Sequence, residues 1–258
     1  AALCGALVLN AAAQTGGALT VSVLDVGQGL SVALTSGGRT ALVDCGGTGS
    51  ADPGDVAADY VQDLGLSRID LVVLTHYHQD HAGGVPELLN RLDVGLLVLP
   101  DVEADDPLRA EITALAAEQG VETLFVSENT GVELGEAALT IYGPLGTGGG
   151  NEEGLSILCT AGEFDALITG DMNSAVEHRL VKYGNLPDIE LLVAGHHGSK
   201  YSTSEELLLE TRPETAVIST GYNTYGHPAP ETLERLAAAG CDIYRTDWSG
   251  TVTVTAQP

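Results

Sequence analysis

A dense cluster of metal-binding residue types lies in the segment Thr75-His76-Tyr77-His78-Gln79-Asp80-His81. This segment directly follows the run Ile69–Leu74, which is apolar except for Asp70 and is typical of a strand that is covered on both faces. A bend after such a strand can direct His76 and His78 toward one point, and Asp80 and His81 toward a second. Because imidazole and carboxylate are ligands for zinc and manganese, the segment predicts a metal site at the end of a buried strand.

Other candidate ligands follow other predicted strands in the same way. Ala166–Thr169 leads to Gly170-Asp171, Leu191–Ala194 leads to Gly195-His196-His197-Gly198-Ser199, and Ala216–Thr220 leads through a turn to His227-Pro228. The remaining histidine, His178, falls on a predicted helix, and we interpret it as a surface or structural residue. Taken singly, Gly-Asp is common in turns and a lone histidine is more often structural. Loops at matching ends of adjacent strands converge on one edge of a sheet, so the joint pattern favours a single site.

Strand-like and helix-like segments alternate along the 258 residues, with no internal repeat and no obvious linker. Hydrophobic residues make up 44% of the chain, which is enough for a substantial core and excludes a mainly disordered protein. The mixture predicts one α/β domain in which helices cover sheets. One predicted helix begins at Ser202, where Ser202 with Glu205, or Thr203 with Glu206, forms a capping-box pattern. Another is predicted over Pro228–Ala239.

The charge of the chain is strongly negative. Ten Lys and Arg residues stand against 36 Asp and Glu residues, which gives a formal charge of −26. Such a surface repels polyphosphate and anionic membranes, so a nucleic-acid substrate would require bound metal ions to overcome that repulsion locally. The charge equally fits solubility in salt or an exported environment. Aromatic residues make up only 4%, fewer than a stacking platform for single strands would need, although a few well-placed rings are not excluded.

The cysteines and the first residues give weaker constraints. Cys4, Cys45, Cys159 and Cys241 form no CxxC pair, so neither a thiolate zinc knuckle nor a dense disulfide framework is indicated. Ala1–Ala13 is apolar but shorter than a membrane span. That stretch fits the end of a membrane helix, a signal remnant, or a first strand or helix.

The pattern His-x-His-x-Asp-His, followed by a strand that ends in Thr169-Gly170-Asp171, resembles the metallo-β-lactamase superfamily. Further motifs resemble the extracytoplasmic metallo-β-lactamase-like domain of ComEC-type DNA-uptake (competence) proteins. They are Leu24-Asp25-Val26-Gly27-Gln28-Gly29, Leu42-Val43-Asp44-Cys45-Gly46, Gly195-His196-His197-Gly198-Ser199, Tyr225-Gly226-His227-Pro228 and Tyr244-Arg245-Thr246-Asp247-Trp248-Ser249-Gly250. The resemblance extends from about Leu19 to Val254. It implies a four-layer αββα sandwich formed by a single domain, residues 19–258, after an N-terminal segment, residues 1–18.

The same resemblance implies two divalent metal ions, zinc or manganese, and no nucleotide cofactor. One ion would be bound by His76, His78, Asp171 and one histidine of the His196-His197 pair, with His197 favoured. The other would be bound by Asp80, His81, Asp171 and His227, so that Asp171 bridges the two. Asp44 would orient a ligand histidine, and Asp25 and Ser199 are expected beside the ligands.

The sequence departs from the family pattern at three places. No histidine lies between His81 and His178, where many members carry a further ligand, and the His196-His197 pair would substitute for it. Leu30 stands where aspartate is usual after Gly-Gln-Gly, and Cys45 stands where threonine or glycine is usual.

The resemblance implies metal-assisted hydrolysis of a phosphodiester, as in a nuclease that acts on single-stranded DNA. Asp80 would orient the nucleophile, and His196 and Lys200, together with Ser199, would contact the phosphate or the leaving group. The implied partner is the membrane channel of a larger DNA-uptake protein, and the implied location is extracytoplasmic or secreted. Two alternatives stay open. One is a metallohydrolase of a small phosphodiester or other ester, such as a phosphocholine ester, lactone or β-lactam. The other is a metal-stabilised domain that binds DNA without catalysis.

Overall fold

A computed structural model describes residues 19–256 of the chain. The expectations for Ala1–Ala13 and for the N-terminal segment 1–18 lie outside the described residues. Two seven-stranded sheets face each other, and helices cover both outer faces. This is the four-layer αββα sandwich that the sequence motifs imply.

The first sheet has the strand order β14-β1-β2-β3-β4-β5-β6. Strands β3 to β6 run parallel, and the pairs β1–β2, β2–β3 and β1–β14 are antiparallel. The bounds are β1 Thr20–Val23, β2 Val32–Ser36, β3 Arg39–Val43, β4 Arg68–Val73, β5 Asp93–Pro100, β6 Glu122–Val126 and β14 Val252–Thr255.

The second sheet has the order β13-β12-β11-β10-β9-β8-β7. Strands β10 to β13 are parallel, and β7 to β10 form an antiparallel meander. The bounds are β7 Thr130–Leu134, β8 Ala137–Tyr142, β9 Ser156–Ala161, β10 Phe164–Ile168, β11 Leu191–Val193, β12 Thr215–Ile218 and β13 Asp242–Arg245.

Capping residues, prolines and glycines mark where several helices begin and end. Asp52 and Asp106 cap helices that begin with proline, and Gly120 ends the second of them in the left-handed conformation. The bounds are α1 Pro53–Asp63, α2 Gln79–Ala82, α3 Val85–Arg91, α4 Pro107–Gln119, α5 Ser174–Gly184, α6 Glu205–Thr211, α7 Pro230–Ala238 and α8 Thr246–Ser249. Among the described residues, no helix has the length and apolarity that crossing a bilayer requires.

Strand β4 illustrates how the core forms. Leu71 and Val73 point between the two sheets, whereas Val72 and Leu74 pack against the helices of the outer layer. From Leu71 onward the strand is therefore buried on both faces, as the apolar run Leu71–Leu74 predicts. Because both faces are covered, the chain after Leu74 emerges from a rigid base.

Two predicted helix starts are wrong. Helix α6 begins at Glu205 rather than Ser202, and its cap is Ser204, whose Oγ accepts from the backbone N–H of Leu207 at 3.3 Å. Thr203 has φ +56°, and its backbone N–H donates to the buried Glu177 carboxylate at 2.6 Å. A tertiary hydrogen bond therefore overrides the local capping pattern. Helix α7 begins at Pro230 rather than Pro228.

Candidate metal centre

The candidate ligands meet at one rim of the sandwich. Asp44 and the His76–His81 segment follow the parallel strands β3 and β4 of the first sheet. Asp171, the His196-His197 pair and His227 follow the parallel strands β10, β11 and β12 of the second sheet. The two sheets thus contribute candidate ligands from matching strand ends, where the sequence pattern predicts that they converge.

The one-turn helix α2 carries Asp80 and His81 and is held by backbone contacts. The N–H of Leu30 donates to the carbonyl of Asp80 at 2.9 Å, and the N–H of Cys45 donates to the carbonyl of His81 at 2.7 Å. A Cβ at Gly46 would lie 2.3 Å from the backbone nitrogen of His81, so glycine is required for this close approach. Leu30 and Cys45, the two departures from the family pattern, therefore support the site through their backbones, while their side chains are buried in the core.

Asp44 organises the base of the site. Its Oδ1 accepts from the backbone N–H of Thr75 at 2.7 Å. Its Oδ2 accepts from the Thr75 hydroxyl at 2.7 Å and lies 2.7 Å from His81 Nδ1. The carboxylate therefore fixes the orientation of His81 and leaves Nε2 facing the site. Thr75, whose Oγ1 also lies 3.0 Å from His76 Nδ1, is a supporting residue that the sequence motif contains but that sequence reasoning did not single out.

Asp171 lies at the centre of the cluster. Its Oδ1 is 3.0 Å from His81 Nε2 and 3.9 Å from His197 Nε2. Its Oδ2 is 3.4 Å from His196 Nε2 and 4.0 Å from His76 Nε2. Each oxygen thus faces a different pair of imidazoles, which is the arrangement expected of a bridging carboxylate.

The His196-His197 pair turns into the site because both residues adopt left-handed backbone conformations, with φ +51° and +55°. His197 Nδ1 lies 3.0 Å from the carbonyl of Ser219, so Nε2 is directed toward Asp80 Oδ2 at 3.4 Å. The distances group His197 with Asp80 and His81, whereas His196 lies on the side of Asp171 that faces His76. This grouping differs from the expectation that His197 joins His76 and His78.

Several buried atoms of the candidate ligands face one another without forming a hydrogen bond of regular geometry. They are His76 Nε2, His81 Nε2, His197 Nε2 and Asp171 Oδ1. Four ligand atoms, one each from Asp80, His81, Asp171 and His197, all lie within 4.8 Å of one another. Buried polar atoms normally form hydrogen bonds. Convergent ligand atoms that form none of regular geometry therefore fit a metal ion.

The remaining two histidines flank this group. The ring centroid of the exposed His78 lies 4.7 Å from that of His76, and the half-buried His227 ring lies 5.5 Å from that of His196. His227 Nδ1 also has no partner among the described residues. Six of the seven histidines therefore gather at one rim, and the seventh, His178, is exposed and lies 2.8 Å from Glu206, as the sequence predicts for a surface residue.

The charges in the cluster shift the acidities of its members. Burial lowers the pKa of His76 well below its usual value. Burial also opposes the charged form of His81, but the carboxylates of Asp171 and Asp44 on either side hold the pKa of His81 well above its usual value. Burial would raise the pKa of Asp171, yet the adjacent imidazoles, above all His81, hold it well below its ordinary range. Without metal, the cluster therefore contains an ionised aspartate paired with a protonated histidine.

Three further predicted residues lie apart from the ligand atoms. Asp25 is exposed, and its Oδ1 accepts from the backbone N–H of Gly27 at 3.3 Å. Ser199 is buried, and its Oγ accepts from the backbone N–H of Tyr201 at 3.3 Å. Lys200 is exposed, with its Nζ 5.1 Å from the centroid of the Tyr201 ring. The structure records no contact between these side chains and a candidate ligand, so their predicted roles stay predictions.

Comparison with known proteins agrees with the motifs. The family model described as the metallo-beta-lactamase superfamily matches residues 24–222. ComE operon protein 3 of Bacillus subtilis is 30% identical over 251 residues, covering 90% of this chain and 32% of the relative. Competence protein ComA of Neisseria gonorrhoeae is 33% identical over 237 residues, covering 89% of this chain and 31% of the relative.

A solved structure shares the fold. The metallo-beta-lactamase fold protein YhfI from Bacillus subtilis superposes with a TM-score of 0.61 at 12% identity, covering 92% of this chain and 99% of that one. The chain spans about a third of the length of the two competence proteins named above.

Proposed function

The chain belongs to the metallo-beta-lactamase superfamily, and from that premise we propose that it is a metal-dependent phosphodiesterase that cleaves single-stranded DNA. The observation that carries the proposal is the convergence of buried histidine and aspartate ligand atoms within 4.8 Å of one another at the rim of the sandwich. Competence proteins among the relatives support DNA as the substrate. They also support a place for this domain, residues 19–258, beside the membrane channel of a larger protein, on the extracytoplasmic side or secreted.

The distances favour a particular division of the ligands between two divalent ions, zinc or manganese. His76, His78 and His196 would share one ion with Asp171, and Asp80, His81 and His197 would share the other with Asp171. When bound, such ions lower the pKa of a water molecule and neutralise charge on phosphoryl oxygens. His227 would complete either ligand set from its place beside His196.

The protein groups have separate tasks. Asp44 and Thr75 hold His81, and the Ser219 carbonyl holds His197, so these imidazoles need no rearrangement. Asp80, whose carboxylate is partly open to solvent, would orient the nucleophile. His196 is also partly exposed, and burial lowers its pKa, so it would be neutral at pH 7 and could donate its remaining N–H to a phosphoryl oxygen. Lys200 and Ser199 remain proposed contacts to the phosphate or leaving group.

The test is cleavage of an end-labelled single-stranded oligonucleotide by the purified chain loaded with Mn²⁺ or Zn²⁺. We expect cleavage that a chelator abolishes and that Asp171→Asn reduces by at least about a thousandfold, since the bridging carboxylate is lost. His178→Gln is the matched control, because His178 lies away from the cluster, and it should retain full activity. Binding of metal and DNA without turnover of any ester would reject the proposal in favour of a non-catalytic DNA-binding domain.

A second candidate, hydrolysis of a small phosphodiester or other ester, is favoured by the formal charge of −26. Small substrates do not need an extended basic groove, whereas long polyanions usually do. Turnover of a phosphocholine ester, a lactone, a β-lactam or bis-p-nitrophenyl phosphate with single-stranded DNA left intact would select this candidate.

A further inference from the structure

A cleft of about 380 Å³ opens directly beside Asp80. Two tyrosines of the loop between β12 and α7 form part of its wall, and both are exposed, with Tyr222 at 94% and Tyr225 at 77%. The Tyr225 ring lies 5.9 Å from the ring of the candidate ligand His227. In a chain with 4% aromatic residues, two nearly bare rings next to a metal centre point to a surface that is covered by a ligand.

The loop that presents these rings is rigidly held. The side chain of Asn223 accepts hydrogen bonds from the backbone N–H groups of Tyr225, Gly226 and His227 at 3.0–3.1 Å. Its Nδ2 donates to the carbonyls of Gly221 and His227 at 2.9 and 2.8 Å. One side chain thus fixes both ends of the turn, so the tyrosines are presented without the entropic cost of ordering a mobile loop.

The rest of the cleft is polar and nearly uncharged. Gln28, Thr48, Gln79 and Thr224 contribute to its lining, and Asp80 is its only charged residue. Gln28 is itself fixed, because its Oε1 accepts from the hydroxyl of Thr220 at 3.2 Å and from the N–H of Gly221 at 3.3 Å. Amides and hydroxyls of this kind can pair with the edge of a nucleobase, whereas a quaternary ammonium group would use only the tyrosine rings and Asp80.

The basic side chains of the domain are already engaged in contacts within the domain, so few of them can bind the phosphates of a polynucleotide. Within residues 19–256, all eight arginines bond to or pair with acidic side chains or backbone carbonyls. The two lysines lie over tyrosine rings of their own helix or loop. Binding of a single strand therefore has to rely on the metal centre and on stacking rather than on a basic groove.

We propose that Tyr222 and Tyr225 form a stacking site for an unpaired nucleobase, which seats the adjoining phosphodiester at the metal centre. The inference rests on the proposed function and names the part of the substrate that the chain recognises. Stacking on tyrosine is tolerant of sequence, because every base has a π face. The site thus selects unpaired DNA without selecting a sequence.

The test compares two fluorescent ligands of equal length with hydrolysis-resistant phosphorothioate links, one an oligothymidylate and one lacking all bases. Fluorescence anisotropy with the metal-loaded protein should give at least about tenfold tighter binding of the base-bearing strand. The double variant Tyr222→Ala/Tyr225→Ala should bring the two affinities within about twofold of each other. Tyr222→Phe/Tyr225→Phe should keep the preference, because the rings remain. Tyr183→Ala, an exposed tyrosine on α5, is the matched control and should keep it as well.

Three results would overturn the inference. The first two are equal affinities of the wild-type protein for both ligands, and an undiminished preference for the base-bearing strand in the double alanine variant. The third is displacement of the oligonucleotide by choline at concentrations at which sodium chloride does not displace it. The outcome is separable from that of the proposed function. Loss of DNA cleavage with the base preference intact would reject the nuclease and leave the stacking site. Cleavage of DNA without any preference for the base-bearing strand would reject the stacking site and leave the proposed nuclease.

Discussion

Asp44 shows how a residue outside the candidate ligand set can govern the site. It holds φ +60°, a left-handed conformation that aspartate and asparagine tolerate better than other residues with a Cβ. This conformation turns its carboxylate back under Thr75 and His81, where both oxygens accept hydrogen bonds. The same position beside His81 makes Asp44 one of the two carboxylates that keep this histidine protonated when no metal is bound.

Metal binding should therefore release a proton from His81. Its pKa in the metal-free protein lies well above the usual value, and a metal ligand must be deprotonated. Below that pKa, the apparent metal affinity should rise about tenfold per pH unit and should level off above it. Asp171 adds no such dependence near neutral pH, because its depressed pKa keeps it ionised.

Calorimetric titration with Zn²⁺ in two buffers of different ionisation enthalpy measures the release, with about one proton expected at pH 7. Asp44→Asn tolerates the same backbone and removes one negative charge, so it should lower both the proton release and, by about 10- to 100-fold, the metal affinity. A proton count near zero for the wild-type protein would refute the assignment.

At the scale of elements, helix α5 supports a loop that it does not belong to. Glu177 is buried on α5, and its carboxylate accepts from the N–H groups of Thr203 and Ser204 at 2.6 and 2.8 Å. The Thr203 hydroxyl in turn accepts from the N–H of Gly195 at 3.2 Å, directly before the histidine pair. Arg235 on α7 donates to the Thr203 carbonyl at 2.9 Å. Two helices thus fix the loop that carries His196 and His197.

Glu177→Gln should destabilise the domain by about 1–3 kcal/mol, because the amide offers one acceptor oxygen where two buried N–H groups need acceptors. Urea denaturation measures this free energy of unfolding. Glu234→Gln, an exposed substitution on α7, is the control and should change it by less than about 0.5 kcal/mol. Equal stability of the two variants would contradict the role assigned to Glu177.

The sequence predicts the elements whose signals are local. The apolar run before Thr75 and the proline and glycine limits of α4 are examples, since burial on both faces and capping act on neighbouring residues. The sequence does not predict the helix start at Glu205, because a hydrogen bond from Thr203 to Glu177 sets the backbone there, and Glu177 is distant in sequence. Strand β7 is also missed, because its sequence Thr-Gly-Val-Glu-Leu contains a glycine and no apolar run. The one-turn helices α2 and α8 are missed because helices of four residues show no periodicity.

The convergence of the candidate ligands is predictable for the same reason, because each follows a recognisable strand. Their grouping is not, since it depends on side-chain direction. His196 and His197 are adjacent in sequence, yet the Nε2 of His196 faces Oδ2 of Asp171 and the Nε2 of His197 faces Oδ1. The exposure of Tyr222 and Tyr225 is also not predictable from the sequence. The low aromatic content of the whole chain gives no indication that two rings lie together beside the candidate site.

At the scale of the whole molecule, the dominant property is the formal charge of −26. Proteins that neutralise six to ten phosphates lose about 10³- to 10⁵-fold in affinity between 50 and 200 mM salt. This domain has its arginines engaged internally, so few phosphates can be neutralised by side chains.

Binding of single-stranded DNA by the metal-loaded protein should therefore change by less than about tenfold between 50 and 200 mM salt, since only a few phosphates near the metal ions release counterions. Anisotropy titrations at several salt concentrations give the slope of log K against log salt. A slope steeper than about −3 would mean that four or more phosphates are contacted, and would reveal a basic surface that the internal pairing of the arginines argues against.

The pairing of β1 with β14 has a consequence for how the domain is attached to neighbouring polypeptide. Leu19 and Ala256 lie side by side, joined by a backbone hydrogen bond of 2.8 Å. The opposite end of β1 leads into the Leu24–Gly29 loop at the metal-binding rim, so both attachment points lie at the far pole from the ligands. Any preceding and following segments must therefore join the domain at one corner, as a double stalk. The candidate metal site lies at the other end of β1, away from that corner.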